Sequence, residues 1–506
     1  MSDDLGRWAG ILGELERRRA FATQMGGAEK IARHRASGRM DARQRIEALF
    51  DEGTFVELGA FVAGLSETSD HPAPADALVA GFGLVEGRPV LAGSEDFTVL
   101  GGSIGDGGAD KRYRLTQLAA QERVPLVFML EGAGHRLTNS HNSRRPNDLQ
   151  GLAELSGQVP MVCLAMGASA GHGALTAPLS DFVIMTEAAS MFSGGPPLVK
   201  AAIGEVVTKE QLGGPQIHLV ESGVAHNRAT DDAEAIALAR RYLSYFPSNA
   251  WARAPRAHGP DQGERRLDGI LDLIDPDPRR PFAIQELLEM LVDDGRLFIV
   301  QPEHGASLMT ALARLGGESV AIVANDPSVG AGAIDSKAAD KAAHFMDVAG
   351  AFHLPVVFLT DNPGVMAGTA AERSGALRHA ARMFVAQHRL QVPKLHVTLR
   401  KAFGFGSSVM AMNSFDRQTI ALAFPAITMG AMPVASAADA AKLDAAERAR
   451  IAAEQAGGAY HVANRMGYDD VIDPRDLRNA LLRGLRLIEG RRSQAVEPVR
   501  LLGITP

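Results

Sequence analysis

The sequence predicts an α/β protein made of two tandem copies of one β-β-α superhelical domain. Residues 87–134 match residues 317–364 at a constant offset of 230 without a gap, and pairs such as Gly102 and Gly332 are identical. Short strands recur in each copy in a β-β-α order, which favours stacked superhelical turns over an open Rossmann sheet. A duplicated fold can carry half of a ligand site on each copy, so the repeat indicates two substrates that are brought together.

The repeat resumes further along the chain at an offset of 233. There Gln158-Val159-Pro160 matches Gln391-Val392-Pro393, and Gly171-His172-Gly173 matches Gly404-Phe405-Gly406. The two copies therefore share glycine clusters as well as predicted strands. Residues 1–250 are predicted to form the first domain and residues 251–506 the second.

The elements of the first copy follow from apolar periodicity and turn residues. Residues 8–50 have amphipathic helical character and predict an N-terminal arm that packs on the body or on a partner subunit. The remaining elements are strands at 79–85 and 89–92, a helix at 110–122, a buried strand at 124–130 and a helix–strand cycle at 146–186.

The second copy repeats this order after a segment, 247–281, that carries six prolines and is predicted to be a linker. Its elements are a strand at 319–323, a helix at 338–352, a strand at 355–360, a glycine turn at 361–368, a helix at 372–389 and a strand at 394–399.

Composition excludes several classes of function. The formal net charge of -7 gives no reason to expect a nucleic-acid surface. The single cysteine, Cys163, excludes a disulfide framework and a cysteine-rich zinc site, and no His-Glu-x-x-His or other spacing indicates a metal. No apolar run reaches the ~18 residues of a membrane span, and the acidic start does not resemble a secretory signal, so a cytoplasmic location without membrane partners is expected.

Glycine clusters follow the predicted strands and are the strongest chemical feature. A glycine cluster at the start of a helix exposes backbone N–H groups, which hold a phosphate or stabilise an oxyanion; the alternative is a tight turn used for packing. Their presence at equivalent places in both copies favours a functional role. The clusters are Gly132-Ala133-Gly134, 167–173, Asp361-Asn362-Pro363-Gly364 and Gly404-Phe405-Gly406.

Other motifs point less clearly to chemistry. The P-loop and Gly-x-Gly-x-x-Gly fingerprints are absent. Gly-x-Ser-x-Gly occurs around Ser103 and Ser169, and both matches are interpreted as turns. Lone histidines such as His135 and His226 are interpreted as structural, with more weight given to His172 inside a glycine cluster. Cys163 is interpreted as a buried packing residue.

Several long motifs resemble those of the carboxyltransferase (beta) subunits of biotin-dependent acyl-CoA carboxylases, of the propionyl-CoA carboxylase type. The resemblance runs from about residue 26 to residue 410. Its motifs are Arg43–Leu58, Asp96–Ser103, Ser193–Lys200, Gly204–Thr208, Leu212–Gly214, Leu243–Asn249, Asp361–Gly364, Arg378-His379 and Val392–Gly404.

The resemblance implies two crotonase-like β-β-α superhelix domains, with acyl-CoA bound mainly by the first and biotin by the second. It also implies two backbone oxyanion holes, a homo-oligomer, usually a hexamer, and a partner that carries biotin carboxylase and the biotin carboxyl carrier. No nucleic-acid or metal partner is implied. The site residues carried over are Gly171 and His172 for the first hole, Phe405 and Gly406 for the second, and Gly132, Ala133, Gly134, Gly364 and Ser408 for substrate binding.

The chain departs from the family pattern at both holes. Gly171-His172 and Gly404-Phe405 stand where the family usually has Gly-Gly, and Gly132–Arg136 replaces a usual Ser-Gly-Gly-Ala-Arg run. Ser408 occupies an acyl-pocket position where better known members carry Asp or Ile. The side chains of His172 and Phe405 add bulk next to amides that remain in the backbone.

Four functions remain open from the sequence. The first is a carboxyltransferase subunit that transfers a carboxyl group from carboxybiotin to the α-carbon of an acyl-CoA through an enolate. The second is a biotin-dependent acyl-CoA decarboxylase subunit that runs the transfer in reverse. The third is a biotin-independent crotonase-type enzyme, in which His172, His135 or Ser169 would act directly. The fourth is an inactive scaffold subunit, which the occupied glycine positions motivate.

Overall fold

The computed structural model describes residues 2–62, 73–136, 147–434, 436–437, 442–499 and 504–505, and of residues 2–7 only the backbone. The chain divides into two compact units, Met1–Ser244 and Tyr245–Thr505. No helix among the described residues combines the length and the apolar composition that a membrane span needs.

A seven-stranded sheet forms the centre of the first unit. Its strand order is β1-β2-β3-β4-β5-β7-β9, antiparallel from β1 to β3 and parallel beyond, and β6 pairs with β8 in a small separate sheet. The strands are β1 Val56–Glu57, β2 Leu78–Val85, β3 Arg88–Glu95, β4 Leu126–Leu130, β5 Met161–Ala165, β6 Ala168–Ala170, β7 Phe182–Thr186, β8 Ser190–Phe192 and β9 Asn227–Ala229.

Helices pack around this sheet. They are α1 Ser2–Thr23, α2 Ala28–Ala36, α3 Ala42–Leu49, α4 Asp106–Glu122, α5 Asp148–Leu155, α6 Pro196–Ile203, α7 Lys209–Gly213 and α8 Asp232–Ser244. Strand β4 is a continuous apolar run because both of its faces are covered, as the sequence predicted. The β2–β3 hairpin turns at Glu86-Gly87, where both residues have positive φ, which matches the right-handed twist of the strands.

The second unit repeats the same arrangement with an eight-stranded sheet. Strands run in the order β10-β11-β12-β13-β14-β15-β17, with β16 paired to β14. The strands are β10 Phe298–Val300, β11 Leu308–Leu315, β12 Glu318–Asn325, β13 Val356–Asn362, β14 Lys394–Phe403, β15 Ile420–Ala423, β16 Thr428–Gly430 and β17 Asp470–Val471.

The helices of the second unit cover its sheet in the same way. They are α9 Ile270–Leu273, α10 Ile284–Leu291, α11 Ser336–Ala351, α12 Thr369–Arg373, α13 Ala376–Arg389, α14 Gly404–Val409, α15 Ala445–Ala456, α16 Gly458–Ala463, α17 Leu477–Leu487 and α18 Glu489–Arg492.

The duplication holds down to the pairing of single residues. In the first unit Leu91 pairs with Leu126, and Leu126 with Met161. In the second unit Ala321 pairs with Val356, and Val356 with Lys394. These residues are related by the two offsets read from the sequence, so the predicted α/β duplication is confirmed.

Several element boundaries differ from the predicted ones. The N-terminal helical region is three helices, and the helix predicted at 372–389 is interrupted by Gly375, which adopts a left-handed φ of 78°. Helix α4 begins at Asp106, four residues before the predicted start. The helix–strand cycle predicted at 146–186 is present as α5 and the strands that follow, except that residue 146 lies outside the described residues.

The proline-rich segment at 247–281 is more than a linker. Leu267, Ile270 and Ile274 within it are buried in the core of the second unit. Prolines limit regular structure in this segment, but its apolar side chains still contribute to packing. On α1, by contrast, Trp8 and Ile11 are exposed, and the packing of this arm on a partner stays a prediction.

Candidate active site

Two glycine clusters meet beside the parallel strands of the first unit. The amide of Ala170 donates to the carbonyl oxygen of Gly132 at 3.1 Å. A Cβ atom on Gly134 would lie 2.8 Å from the carbonyl oxygen of Ala170 and 4.0 Å from Cα of Gly171. Only glycine permits this approach at position 134, whose φ is also positive. The structure therefore brings the predicted substrate-binding cluster 132–134 and the predicted hole residues 171–172 together.

Gly171 changes the direction of the chain at this point. Its φ is 56°, its amide donates to the carbonyl oxygen of Phe192 at 3.0 Å, and its own carbonyl accepts from the amide of Leu175 at 3.2 Å. A helical turn thus starts immediately after Gly171. The amide of His172 lies in the first turn, where N–H groups have no partner within the helix. Gly171 provides the bend, and His172 provides the candidate N–H donor.

We call the bend at Gly171 and His172, with the adjacent cluster 132–134, the first corner. The second unit forms an equivalent second corner from Gly364 and Gly404-Phe405-Gly406. Gly404 has a φ of 54°, and helix α14 starts there. A Cβ atom on Gly406 would lie 2.4 Å from Oδ1 of Asn362 and 2.7 Å from Cα of Gly364. The structure thus brings Gly364 together with Gly406. The first-turn amides of Phe405 and Gly406 are the candidate donors.

Side chains fill out the second corner. The ring of Phe405 is 47% exposed and packs against Phe384, with ring centroids 5.5 Å apart. Ser408 lies in the same helix and is half-buried. Phe405 therefore has a protein partner on one side and leaves a large apolar surface open on the other. This surface is a natural contact for an apolar part of a ligand.

Buried charges lie directly under the first corner. Arg112 donates to Asp148 at 2.6 Å and to Glu95 at 3.1 Å. The amide of Glu131 donates to Glu95 at 2.8 Å. A Cβ atom on Gly132 would meet Oε2 of Glu95 at 2.8 Å, so this carboxylate supports the glycine backbone from below. Burial raises the pKa of Glu95, and Arg112 opposes that rise.

A histidine pair completes the first corner. Nε2 of His172 lies 2.5 Å from Oδ1 of Asp148, and the rings of His172 and His135 meet edge to face with centroids 4.6 Å apart. Burial, and then the neighbouring His172, lower the pKa of His135. Burial by itself would raise the pKa of Asp148, but Arg112 and His172 outweigh it and hold that pKa well below its usual range. The two histidines are thus a pair next to both glycine clusters, which the sequence did not predict.

The second corner has a different set of charges. Arg400 donates to Asp361 at 2.9 and 2.7 Å, and Nζ of Lys401 lies 3.4 Å from the other carboxylate oxygen. Burial raises the pKa of Asp361 and lowers that of Lys401, while the attraction between the two opposes both shifts. The amides of Asp361 and Gly364 are held by Asn325 and Asn362 at 3.2 and 2.9 Å.

The sequence reasoning missed these buried ionic residues. Glu95, Arg112, Asp148, Asp361 and Arg400 are all buried, and the sequence analysis assigned a site role to none of them. The offset of 230 relates Glu95 to Asn325 and Glu131 to Asp361, so a comparison of polar residues within the repeat would have indicated Glu95 and Asp361.

The remaining sequence candidates occupy structural positions. Ser169 is buried within β6 and Ser103 follows a single 3₁₀ turn, so neither stands at a strand-to-helix elbow. His226 accepts from the amide of Val183 at 2.8 Å. Cys163 is buried in β5, and burial raises the pKa of its thiol well above the usual range. Among the described residues, no group of His, Cys, Asp and Glu could hold a metal ion.

The fold and the glycine corner of each unit define a tandem β-β-α protein with candidate backbone N–H donors, and comparison with known proteins assigns the family. The carboxyl transferase domain model matches residues 33–500. The chain therefore belongs to the carboxyl transferase domain family.

Individual relatives agree with this assignment. The chain is 33% identical to the propionyl-CoA carboxylase carboxyltransferase subunit of Haloferax mediterranei, over 95% of this chain and 96% of that protein. It is 34% identical to the methylmalonyl-CoA decarboxylase subunit alpha of Veillonella parvula, over 92% and 93%. The resemblance to carboxyltransferase subunits of the propionyl-CoA carboxylase type is confirmed, and the chain is an enzyme of this family.

A solved structure shows the same fold. The transcarboxylase 12S crystal structure, a hexamer assembly with methylmalonyl-coenzyme A and methylmalonic acid bound, superimposes with a TM-score of 0.90 at 32% identity. The match covers 98% of this chain and 99% of that one. The predicted crotonase-like tandem fold is confirmed.

Proposed function

We propose that this chain is the carboxyltransferase component of a biotin-dependent acyl-CoA carboxylase, which transfers a carboxyl group from carboxybiotin to the α-carbon of an acyl-CoA. The observation that carries the proposal is the duplicated corner. In each unit a left-handed glycine, Gly171 or Gly404, starts a helical turn beside a second glycine cluster. Two such corners supply two sets of backbone donors, as expected for a reaction in which negative charge develops on two molecules.

In the proposed arrangement the first domain, residues 1–250, holds the acyl-CoA. The amide of His172 donates to the thioester oxygen as it gains enolate charge, and Gly132, Ala133 and Gly134 form the adjacent wall. Gly171 keeps that amide in place through its bond to Phe192. A preorganised N–H donor stabilises developing oxyanion charge by ~3–4 kcal/mol, because it does not have to reorient during the reaction.

The second domain, residues 251–506, is proposed to hold biotin. Biotin, attached to a partner protein, supplies the carboxyl group and a ureido nitrogen that takes the α-proton. The amides of Phe405 and Gly406 donate to the negative charge that develops on the ureido oxygen, while Gly364 and Ser408 line the same corner. The cations Arg400 and Lys401 outnumber the single carboxylate of Asp361 there, which favours an anionic group.

The proposal includes partners. The chain contains no Met-Lys-Met biotin attachment sequence, so a biotin carboxylase and biotin carboxyl carrier subunit is proposed to supply the cofactor. A homo-oligomer, a hexamer, is proposed because the solved transcarboxylase 12S relative is a hexamer assembly. A cytoplasmic location stays a prediction.

A biotin-dependent decarboxylase subunit is the second candidate. The relative from Veillonella parvula is named for methylmalonyl-CoA decarboxylation and covers almost the whole chain. Both candidates use the same two corners and differ in the direction of transfer. The proteins that purify with the chain from its native host distinguish them, because a carboxylase complex contains an ATP-dependent biotin carboxylase in addition to the biotin carrier that both enzymes need.

The experiment that tests the proposed function is CO₂ release from malonyl-CoA and methylmalonyl-CoA by the purified chain, with and without free biotin. We expect release that depends on biotin and saturates with the acyl-CoA. The Gly490→Ala variant is a control that should behave as the wild-type chain does, since nothing lies within 4 Å of a Cβ atom at that position. Release that is independent of biotin would indicate a crotonase-type enzyme that uses only the first corner. No release from either substrate would favour an inactive scaffold subunit.

A further inference from the structure

A histidine–aspartate pair at the first corner has no role in the proposed transfer. His172 is bonded to Asp148 at 2.5 Å, and the side chain of Asp148 is only 1% exposed. Asp148 is held in turn by Nε of Arg112 at 2.6 Å, and Arg112 also donates to Thr176 at 2.6 Å. The pair is therefore anchored to α4, α5 and the turn that follows Gly171, so the imidazole is fixed in one orientation.

Charge assigns the tautomer of His172. Asp148 is an anion that only accepts hydrogen bonds, since Arg112 and His172 keep its pKa far below neutrality. Nε2 of His172 must therefore carry the proton that Asp148 accepts. When the imidazole is neutral, Nδ1 then carries the lone pair, and among the described residues no hydrogen bond engages it. Such an imidazole accepts a proton at Nδ1, and the carboxylate behind it stabilises the resulting cation.

The position of the ring is as important as its orientation. His172 carries the amide proposed to hold the thioester oxygen, and its side chain is 14% exposed at the same corner. The ring also contacts His135, the residue immediately after the cluster 132–134. At the equivalent positions the second unit has Phe405 and Val365, so this pair belongs to the first unit alone.

We propose that His172 takes and returns the α-proton of the bound acyl-CoA, so that the chain exchanges α-hydrogens with solvent in the absence of biotin. In the forward step the α-carbon–hydrogen bond breaks, its electron pair forms the enolate, and the proton moves to Nδ1. The imidazolium exchanges that proton with solvent, and the reverse step re-forms the α-carbon–hydrogen bond. Atoms and charge balance without any other reactant. Asp148 acts as a positioning residue.

The test uses the purified full chain and propionyl-CoA in deuterium oxide without biotin. Mass spectrometry follows deuterium at the α-carbon, and biotin-dependent CO₂ release from methylmalonyl-CoA is measured on the same preparation. We expect the wild-type chain to incorporate deuterium. In the His172→Ala variant, which keeps the backbone amide, the ratio of exchange to biotin-dependent release falls about 100-fold or more. His258→Ala, at an exposed position of the second unit, is the matched control and leaves the exchange unchanged.

Asp148→Asn separates positioning from structure. The amide keeps the shape of the carboxylate but removes the charge that stabilises the imidazolium. The maximal rate of exchange is expected to fall at least about tenfold, while the propionyl-CoA concentration for half-maximal exchange changes little. A loss of shape at the corner would instead raise that concentration.

The inference rests on the proposed function, because it requires an acyl-CoA in the first corner. A wild-type chain with biotin-dependent release but no deuterium incorporation overturns the inference alone. A His172→Ala variant that keeps the wild-type ratio of exchange to release also overturns it. A wild-type chain with neither reaction overturns the inference and the proposed function together.

Discussion

The two units hold the same backbone corner with side chains of different charge. In the first unit the amide of Glu131 donates to Glu95, and in the second the equivalent amide of Asp361 donates to Asn325. A Cβ atom on Gly102 would lie 2.2 Å from the carbonyl oxygen of Glu131, and one on Gly332 would lie 2.4 Å from that of Asp361. Both units therefore have the same close backbone contacts, although the acceptor is the carboxylate of Glu95 in the first unit and the carboxamide of Asn325 in the second.

This comparison shows which features of a duplicated site can differ between the two units. The glycine contacts cannot change, because any side chain at these positions would overlap a backbone atom. The hydrogen-bond acceptor for a buried amide must be kept, but a carboxylate and a carboxamide both accept. Charge could therefore diverge, with carboxylates and two histidines under the first corner and a cationic cluster under the second.

The largest expected effect comes from filling one corner at a time. Gly132→Ala places a Cβ atom 2.4 Å from the carbonyl oxygen of Gly102, and Gly406→Ala places one 2.4 Å from Asn362. Each variant displaces the donors of one corner, so biotin-dependent CO₂ release is expected to fall about 100- to 1000-fold. Acyl-CoA binding, measured by calorimetry, is expected to weaken in Gly132→Ala and to persist in Gly406→Ala.

Gly490→Ala is the control, and equal loss of acyl-CoA binding in both glycine variants would contradict the division of labour between the units. Such a result would mean that one corner cannot be changed without the other.

A smaller effect is expected from the buried arginines. Arg112→Met leaves both Asp148 and Glu95 buried without their guanidinium partner, which typically costs about 3–5 kcal/mol in the free energy of unfolding. Arg400→Met leaves Asp361 with Lys401 still 3.4 Å away, so a smaller loss is expected. Denaturant unfolding of the two variants measures the difference.

Arg279→Met provides the control for the arginine comparison, because its side chain is 88% exposed in a surface pair with Asp277. Water and salt screen such a pair, so the free energy of unfolding should hardly change. A loss from Arg400→Met as large as that from Arg112→Met would show that Lys401 does not compensate Asp361.

The smallest effect is expected on the free energy of unfolding at acid pH. It too is tested at two equivalent positions. His396 in β14 corresponds to Cys163 in β5, and its nitrogens contact the carbonyl oxygen of Met410 and the hydroxyl of Thr398 at 2.9 and 2.8 Å. Burial lowers the pKa of His396 to about 4. The unfolded chain therefore binds more protons than the folded chain between pH 6.5 and 4, so the stability that His396 contributes is lost as the pH falls through this window.

The loss over this window amounts to about 3 kcal/mol for a pKa difference of this size. In His396→Gln this contribution is absent, so the difference in unfolding free energy between the wild-type chain and the variant should change between about pH 7 and about pH 4. Cys163→Ala, measured in parallel, should show no change with pH over this range. A constant difference for His396→Gln would mean that His396 titrates normally.

Local patterns predicted much of the fold, and the reasons are local. The buried strand β4 is a continuous apolar run and β13 begins with one, and the helices α4 and α11 follow from matching periodic segments. The helix predicted at 372–389 was less accurate, because Gly375 needs a left-handed conformation that periodicity does not reveal. The segment 247–281 was misjudged for a similar reason, since its burial depends on residues distant in the sequence.

By itself, the sequence determined the duplication, the tandem α/β fold, the family and the glycine clusters from which the corners are built. The duplication follows from matching residues at constant offsets. The glycine clusters follow from local steric demands that only glycine meets. Only the tertiary structure decided that His172 meets Asp148, that Arg112 links Asp148 to Glu95, and that Asp361 lies between Arg400 and Lys401. These contacts join separate elements, and a buried charge acquires its role from the neighbours that folding brings to it.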